Sequence, residues 1–198
     1  MSHDTWVHRM VRPVVRPLAR TPVTPNQLTW LRLLAGIGAA LAFSQGEDVW
    51  RNLGAALFLL SFLLDRADGQ LARLSGKTSA YGHKLDLASD SLANGLAFLG
   101  LGIGLRDGMF GLWALAMGAL AGLAVGTVLL LVVRIEATAG EGAAELGSTA
   151  GFDPDDGMVA VPLFIWLGLS DLLLALAAVG APLFCVAMAI KHRLRAHP

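Results

Sequence analysis

With 198 residues, 55% of them hydrophobic and only 15% charged, and a mean hydropathy of +0.62, the chain is too apolar for a water-soluble globular domain. Several apolar runs reach the roughly 20 residues that a bilayer crossing needs, so the class expected is all-α and polytopic. Fifteen basic residues balance fifteen acidic ones, which points to no nucleic-acid partner, and the single cysteine, Cys185, excludes an intrachain disulfide.

Residues 1–23 do not read as a secretory signal, because Arg9, Arg12, Arg16 and Arg20 interrupt any apolar core. These arginines recur every three or four positions among Trp6, Val7, Met10, Val11, Val14, Val15 and Leu18. That pattern predicts a basic amphipathic segment lying in the lipid headgroup layer, kinked at Pro13 and Pro17. A membrane domain of six spans is expected over residues 24–193. Thr24 as cap, Pro25 at the first helical position and Gln27 three residues after the cap form a capping box. The first span runs from about Asn26 to Phe43 and the second from about Arg51 to Leu74, with Gly76 as its stop. Thr78 or Ser79 caps a third span ending near Leu105, and Arg106-Asp107-Gly108 turns into a fourth, Met109 to Val133. Arg134–Gly151 reads as the longest loop; Asp153-Pro154 then repeats the capping logic for a short fifth span, Asp155 to Gly168. A sixth follows the break at Leu169-Ser170-Asp171 and ends near Lys191. With a cytoplasmic N-terminus, every Lys and Arg except Arg51 and Arg106 falls on or near the cytoplasmic side. Both termini and the polar ends of the second and third spans are therefore expected there.

Those ends carry the chemistry. Asp65 and Asp68 lie three residues apart, and Asp86 and Asp90 four apart, so each pair projects from one helical face. A carboxylate within a bilayer is destabilising by about 2.5–3.5 kcal/mol, and four together repel one another. Two divalent cations balance four negative charges, and an all-oxygen set favours Mg2+ or Mn2+ over zinc. The alternative is a set of solvated helix-end charges paired with Arg66, Arg73 and Lys84. Gly69 and Gly82 suit a ligand approaching the backbone or a close helix contact. Arg73 is one turn from Asp68-Gly69, where its fork can meet a phosphate.

The spacing D-x2-D-G-x2-A-R-x8-G-x3-D-x3-D, at Asp65, Asp68, Gly69, Ala72, Arg73, Gly82, Asp86 and Asp90, resembles the signature of the CDP-alcohol phosphotransferase (phosphatidyltransferase) family. The resemblance implies attack of an alcohol on a CDP-linked alcohol, giving a phosphodiester and CMP. It implies that Asp65, Asp68 and Asp86 ligate two metals, and that Asp90 completes the cluster and acts as base. Asn26, Thr29, Gly69, Arg73 and Gly82 would contact the nucleotide and its phosphates, beside Asp65 and Asp68. A homodimer is implied as well. The donor expected is CDP-diacylglycerol, with membrane lipids as surroundings and a small polar alcohol or its phosphate as acceptor. For the acceptor the candidates are His83, Lys84, Arg134, Asp155 and Asp156. Relatives that use glycerophosphate commonly have Pro after the third acid and Lys after the fourth, where this chain has Leu87 and Ser91. Transfer from CDP-choline or CDP-ethanolamine to diacylglycerol is the rival chemistry; a cation transporter or an inactive binding relative is the rival class. Gly118, Gly122 and Gly126 predict a packing stripe, within the subunit or across a dimer, and Asn94 extends the Asp86–Asp90 face by one turn.

Overall fold

A computed structural model describes residues 6–140 and 154–196, and every element among them is helical. The helix starts follow from local chemistry. Thr24 accepts from the Gln27 N–H at 3.4 Å and donates its own N–H to the Gln27 side chain at 2.9 Å, opening α2 (Pro25–Ser44). Gly76, at φ 65°, takes the left-handed turn that ends α3 (Asp48–Ser75). Ser79 accepts from the Gly82 N–H at 3.0 Å and opens α4 (Ala80–Gly104). Ahead of these, α1 (Trp6–Leu18) is one helix with both prolines inside it. Val11 and Val15 are buried against Leu28, Ala67 and Leu71, while Arg12 and Arg16 stay exposed. Part of its apolar side therefore faces protein.

Small residues let the central helices approach closely. A Cβ on Gly36 of α2 would come within 2.5 Å of the Ala93 side chain on α4. On the far side of α4, Gly102 faces Gly118 and Gly95 faces Gly122 of α5 (Trp113–Ala139). The Gly118–Gly122 stripe is thus an internal α4–α5 seam, and Gly126 has nothing within 4 Å of its Cβ direction. After α5 the described chain resumes in a short 3-10 turn, Pro154–Val159, followed by α6 (Ala160–Trp166) and α7 (Ser170–Ala196). Phe43, Phe58, Phe98, Leu101 and Leu174 fill the common core.

The expected count of six spans is not met: three helices among the described residues are long and apolar enough to cross a membrane. They are Pro25–Ser44, Trp113–Ala137 and Ser170–Ile190. α3 and α4 have the length but carry the polar load: Arg51, Asp65, Arg66, Asp68 and Arg73 on one, Lys84, Asp86, Asp90 and Asn94 on the other. α6 has 7 residues, about 10 Å of helix, against a hydrocarbon core of about 30 Å. α5 also differs from expectation, starting four residues later than Met109 and running on through Arg134 to Ala139. The remainder of the expected Arg134–Gly151 loop, from residue 141, and the cap Asp153 lie outside the described residues. Leu34, Leu41, Leu123, Leu130 and Leu183 are each more than 60% exposed, an outer surface suited to lipid and not to water. The chain is an integral membrane protein.

Candidate active site

Asp65 and Asp68 stand on the last turns of α3, Asp86 and Asp90 on the first turns of α4, and α2 passes between them. The structure brings one carboxylate oxygen from each of Asp65, Asp68 and Asp86 to within 4.8 Å of one another. Three hard oxygen donors that close fit a divalent cation. Asp90 stands outside that triplet and joins it through Arg32 of α2, whose side chain is 1% exposed. The Arg32 guanidinium pairs with Asp65, with Asp86 at 2.5 Å, with Asp90 at 3.1 Å and with Asp68 at 3.9 Å. Ser61 donates to the Arg32 carbonyl at 3.0 Å and ties α3 to α2 at this level. The Thr29 hydroxyl is 2.7 Å from Asp68 Oδ2 and 3.1 Å from the Pro25 carbonyl, so its single proton serves one or the other. Asn94 donates from Nδ2 to Asp90 Oδ1 at 2.9 Å, across one turn of α4. Of the alternative counter-ions, Arg66 pairs with Asp65 at 3.5 Å and lies over the Phe62 ring, while Arg73 and Lys84 are exposed.

Two cavities reach this cluster from different sides. One, of about 460 Å3, is lined by Asn26, Thr29, Asp68, Gly69, Arg73, Gly82, His83 and Asp86. The other, of about 690 Å3, is walled mainly by apolar side chains of α3 to α7 and reaches Asp65, Asp90, Ser91 and Asn94. The eight signature positions divide between them. Asp68, Gly69, Ala72, Arg73, Gly82 and Asp86 line the polar cavity, and Asp65 and Asp90 line the apolar one. Gly69 faces open space, a Cβ there meeting only the Arg73 guanidinium at 3.9 Å. At Gly82 a Cβ would lie 3.1 Å from the Asn26 side-chain oxygen and 3.1 Å from the Ser79 hydroxyl.

The profile of the CDP-alcohol phosphatidyltransferase family matches residues 22–192. The chain belongs to that family. Among curated phosphatidyltransferase relatives, a Streptomyces avermitilis phosphatidylinositol phosphate synthase is 35% identical over 96 residues, 48% of this chain and 38% of that protein. An archaetidylinositol phosphate synthase of Pyrococcus horikoshii is 31% identical over 98 residues, 50% of each. The matched stretch thus spans at most about half the length of these relatives. Two crystal structures of Mycobacterium tuberculosis phosphatidylinositol phosphate synthase share the fold at 25% identity. The one with CDP-DAG bound superposes with a TM-score of 0.66 over 96% of this chain and 92% of that one. The one in complex with manganese and citrate gives 0.65 over 94% and 87%.

The acceptor candidates are scattered. His83 lines the polar cavity and pairs with Glu136 at 2.8 Å. Lys84 and Arg134 are exposed and line neither cavity. Asp155 and Asp156 fall in the 3-10 turn, with their side chains outside the described residues. Arg32 is the residue that motif reading misses. Its signal was present: an arginine inside the apolar run LTWLRLLAG, three residues after Thr29 and so on the same helical face.

The two kinds of glycine contact separate in a paired experiment. Gly102→Ala places a methyl within 3 Å of the Ala114 and Gly118 backbone, so a loss of about 1–3 kcal/mol is expected. Gly69→Ala meets no such wall and removes a helix-weakening glycine, so its melting temperature should hold or rise while KM for a cytidine nucleotide donor increases. Thermal unfolding in detergent beside donor titration checks both.

Proposed function

We propose that this protein transfers a phosphatidyl group from CDP-diacylglycerol to the hydroxyl of a small polar alcohol or alcohol phosphate, with release of CMP. The observation that carries the reading is the placement of six signature positions along one polar cavity that ends on the carboxylates. In it, Asn26 and Thr29 offer polar groups and Gly69 clear backbone to the cytidine nucleotide, Gly82 gives the Asn26 side chain room beside it, and Arg73 offers its fork to the diphosphate. Divalent ions, Mg2+ or Mn2+, held by Asp65, Asp68, Asp86 and Asp90, supply positive charge beside the diphosphate when bound. The donor set favours such ions, and the manganese complex of the mycobacterial relative agrees. Asp90 accepts the proton of the acceptor hydroxyl as the new oxygen–phosphorus bond forms. The bond from that phosphorus to the CMP oxygen breaks, CMP leaves with the electron pair, and the proton passes from Asp90 to water. Asn94, bonded to Asp90 Oδ1, keeps the carboxylate turned toward the acceptor.

A lipid-linked donor is favoured over CDP-choline by the CDP-DAG bound in the mycobacterial relative, and family membership displaces the transporter reading. The distribution of Lys and Arg supports a cytoplasmic site with both termini on that side. The assembly implied by family resemblance is a homodimer, which would have to form on a surface other than the internal Gly118–Gly122 seam. The test is CMP release by purified protein in detergent, with CDP-diacylglycerol plus an alcohol panel in one arm and CDP-choline plus diacylglycerol in the other. Release in the first arm, lost on chelation and restored by Mg2+ or Mn2+, is the expected result. Release confined to the second arm would reverse the donor assignment.

A further inference from the structure

α5 does not stop where its apolar run stops, but continues past Arg134 to Ala139. In that extension Ile135 is buried, and Glu136, its side chain only 11% exposed, meets His83 Nε2 of α4 at 2.8 Å. The same turn of α4 is fixed through its backbone. The Ser79 hydroxyl accepts the Gly82 N–H at 3.0 Å, and the Ser79 carbonyl accepts the His83 N–H at 3.0 Å. Arg73 and Lys77 line the polar cavity with His83, but both are exposed, whereas His83 is half-buried. A ring held at backbone and tip loses little freedom when it binds a ligand.

Its place along α4 says what it can reach. His83 precedes Asp86 by one turn and shares its helical face, about 4.5 Å away along the axis. Arg73 follows Asp68 on the other wall, about 7.5 Å further along α3. An anion leaving the carboxylate cluster through the polar cavity therefore meets His83 within one turn.

In the transfer proposed above, that anion is the phosphate of CMP. When its bond to the transferred phosphorus breaks, the leaving oxygen takes the electron pair and the CMP phosphate gains a negative charge. A cation fixed beside it is worth more then than in the bound donor, which is the condition for lowering the barrier. An ionised carboxylate at hydrogen-bond distance favours the charged, doubly protonated ring. We propose that His83 contacts the CMP phosphate and stabilises it as it leaves, with Glu136 as the positioning residue that holds the ring.

This inference rests on the transfer reaction proposed above, and it moves His83 from the acceptor to the donor side. The test uses the full chain in detergent with CDP-diacylglycerol, Mg2+ or Mn2+ and an alcohol that supports release. It reads kcat for CMP release and inhibition by added CMP. His83→Gln keeps a hydrogen-bonding side chain beside Glu136 but removes the cation. It should slow release about a hundredfold and weaken CMP inhibition about tenfold. His83→Arg restores a cation and should recover most of both. Glu136→Gln should change each about tenfold, and carries the test should His83→Gln fail to fold. Because Glu136 acts through the ring, the double variant should be no slower than His83→Gln alone. A lower melting temperature with CMP inhibition unmoved, or a change confined to KM for the alcohol, overturns the assignment and leaves the transfer reaction standing. A wild type that neither releases CMP nor is stabilised by it overturns both.

Discussion

Asp90→Asn is expected to lower the rate of CMP release by about 100- to 10,000-fold, the usual worth of a positioned general base. The substitution removes the basic electron pair, together with one of the four charges proposed to hold the divalent ions, at almost no change in side-chain size. Asparagine keeps a side-chain oxygen at the Oδ1 position, so the hydrogen bond donated by Asn94 can persist. One of the four pairings of Arg32 is lost, but so is one of four mutually repelling charges, and the other three acids still hold the guanidinium. The melting temperature in chelator should therefore stay close to that of the wild type. Donor binding, which uses the polar cavity that Asp90 does not line, should change less than kcat. A variant that retains activity within tenfold, with its pH profile unmoved, would show that the proton leaves by another route.

What could be read from the chain beforehand was local. The caps at Thr24 and Ser79 and the stop at Gly76 depend on residues three or four positions away, so the sequence specifies them without help from the rest of the fold. The signature likewise encodes helical phase: i, i+3 and i, i+4 spacings set Asp65 with Asp68, and Asp86 with Asp90, each pair on one face of its helix. What could not be read was pairing at a distance and the true limits of weakly punctuated helices. Arg32 meets Asp65 and Asp86 across 33 and 54 residues, and nothing local marks that meeting beyond an arginine in an apolar run. α5 runs through RIEATA because no proline or glycine stops it before Gly140, although the polarity suggested a loop. The His83–Glu136 pair depends on that extension and was out of reach for the same reason. The span count failed because apolar character and bilayer length were read run by run. The site's own charges take α3 and α4 out of the simple apolar class, and α6 is a short helix after a 3-10 turn.

Arg32→Met should be the most destabilising single change near the site, and its size should depend on divalent metal. The methionine keeps the volume and apolar stem of the buried side chain but removes the guanidinium that touches all four acids. Breaking a buried charge set by deleting one partner is destabilising by about 3–5 kcal/mol. For a domain of this size that corresponds to a fall of about 10 °C in melting temperature, measured in detergent with EDTA. The carboxylates of Asp65, Asp68 and Asp86 that pair with the guanidinium are also the ones placed to receive a divalent ion. Added Mn2+ should therefore recover most of the loss in the variant, and the melting shift it causes should exceed that in the wild type, where the ion must compete with Arg32. Equal shifts in the two proteins, or no loss in EDTA, would mean that the carboxylates are neutralised by some other cation and that Arg32 is a bystander. The outcome bears on the reaction because a fixed cation inside the cluster offsets part of the negative charge that the donor diphosphate has to approach.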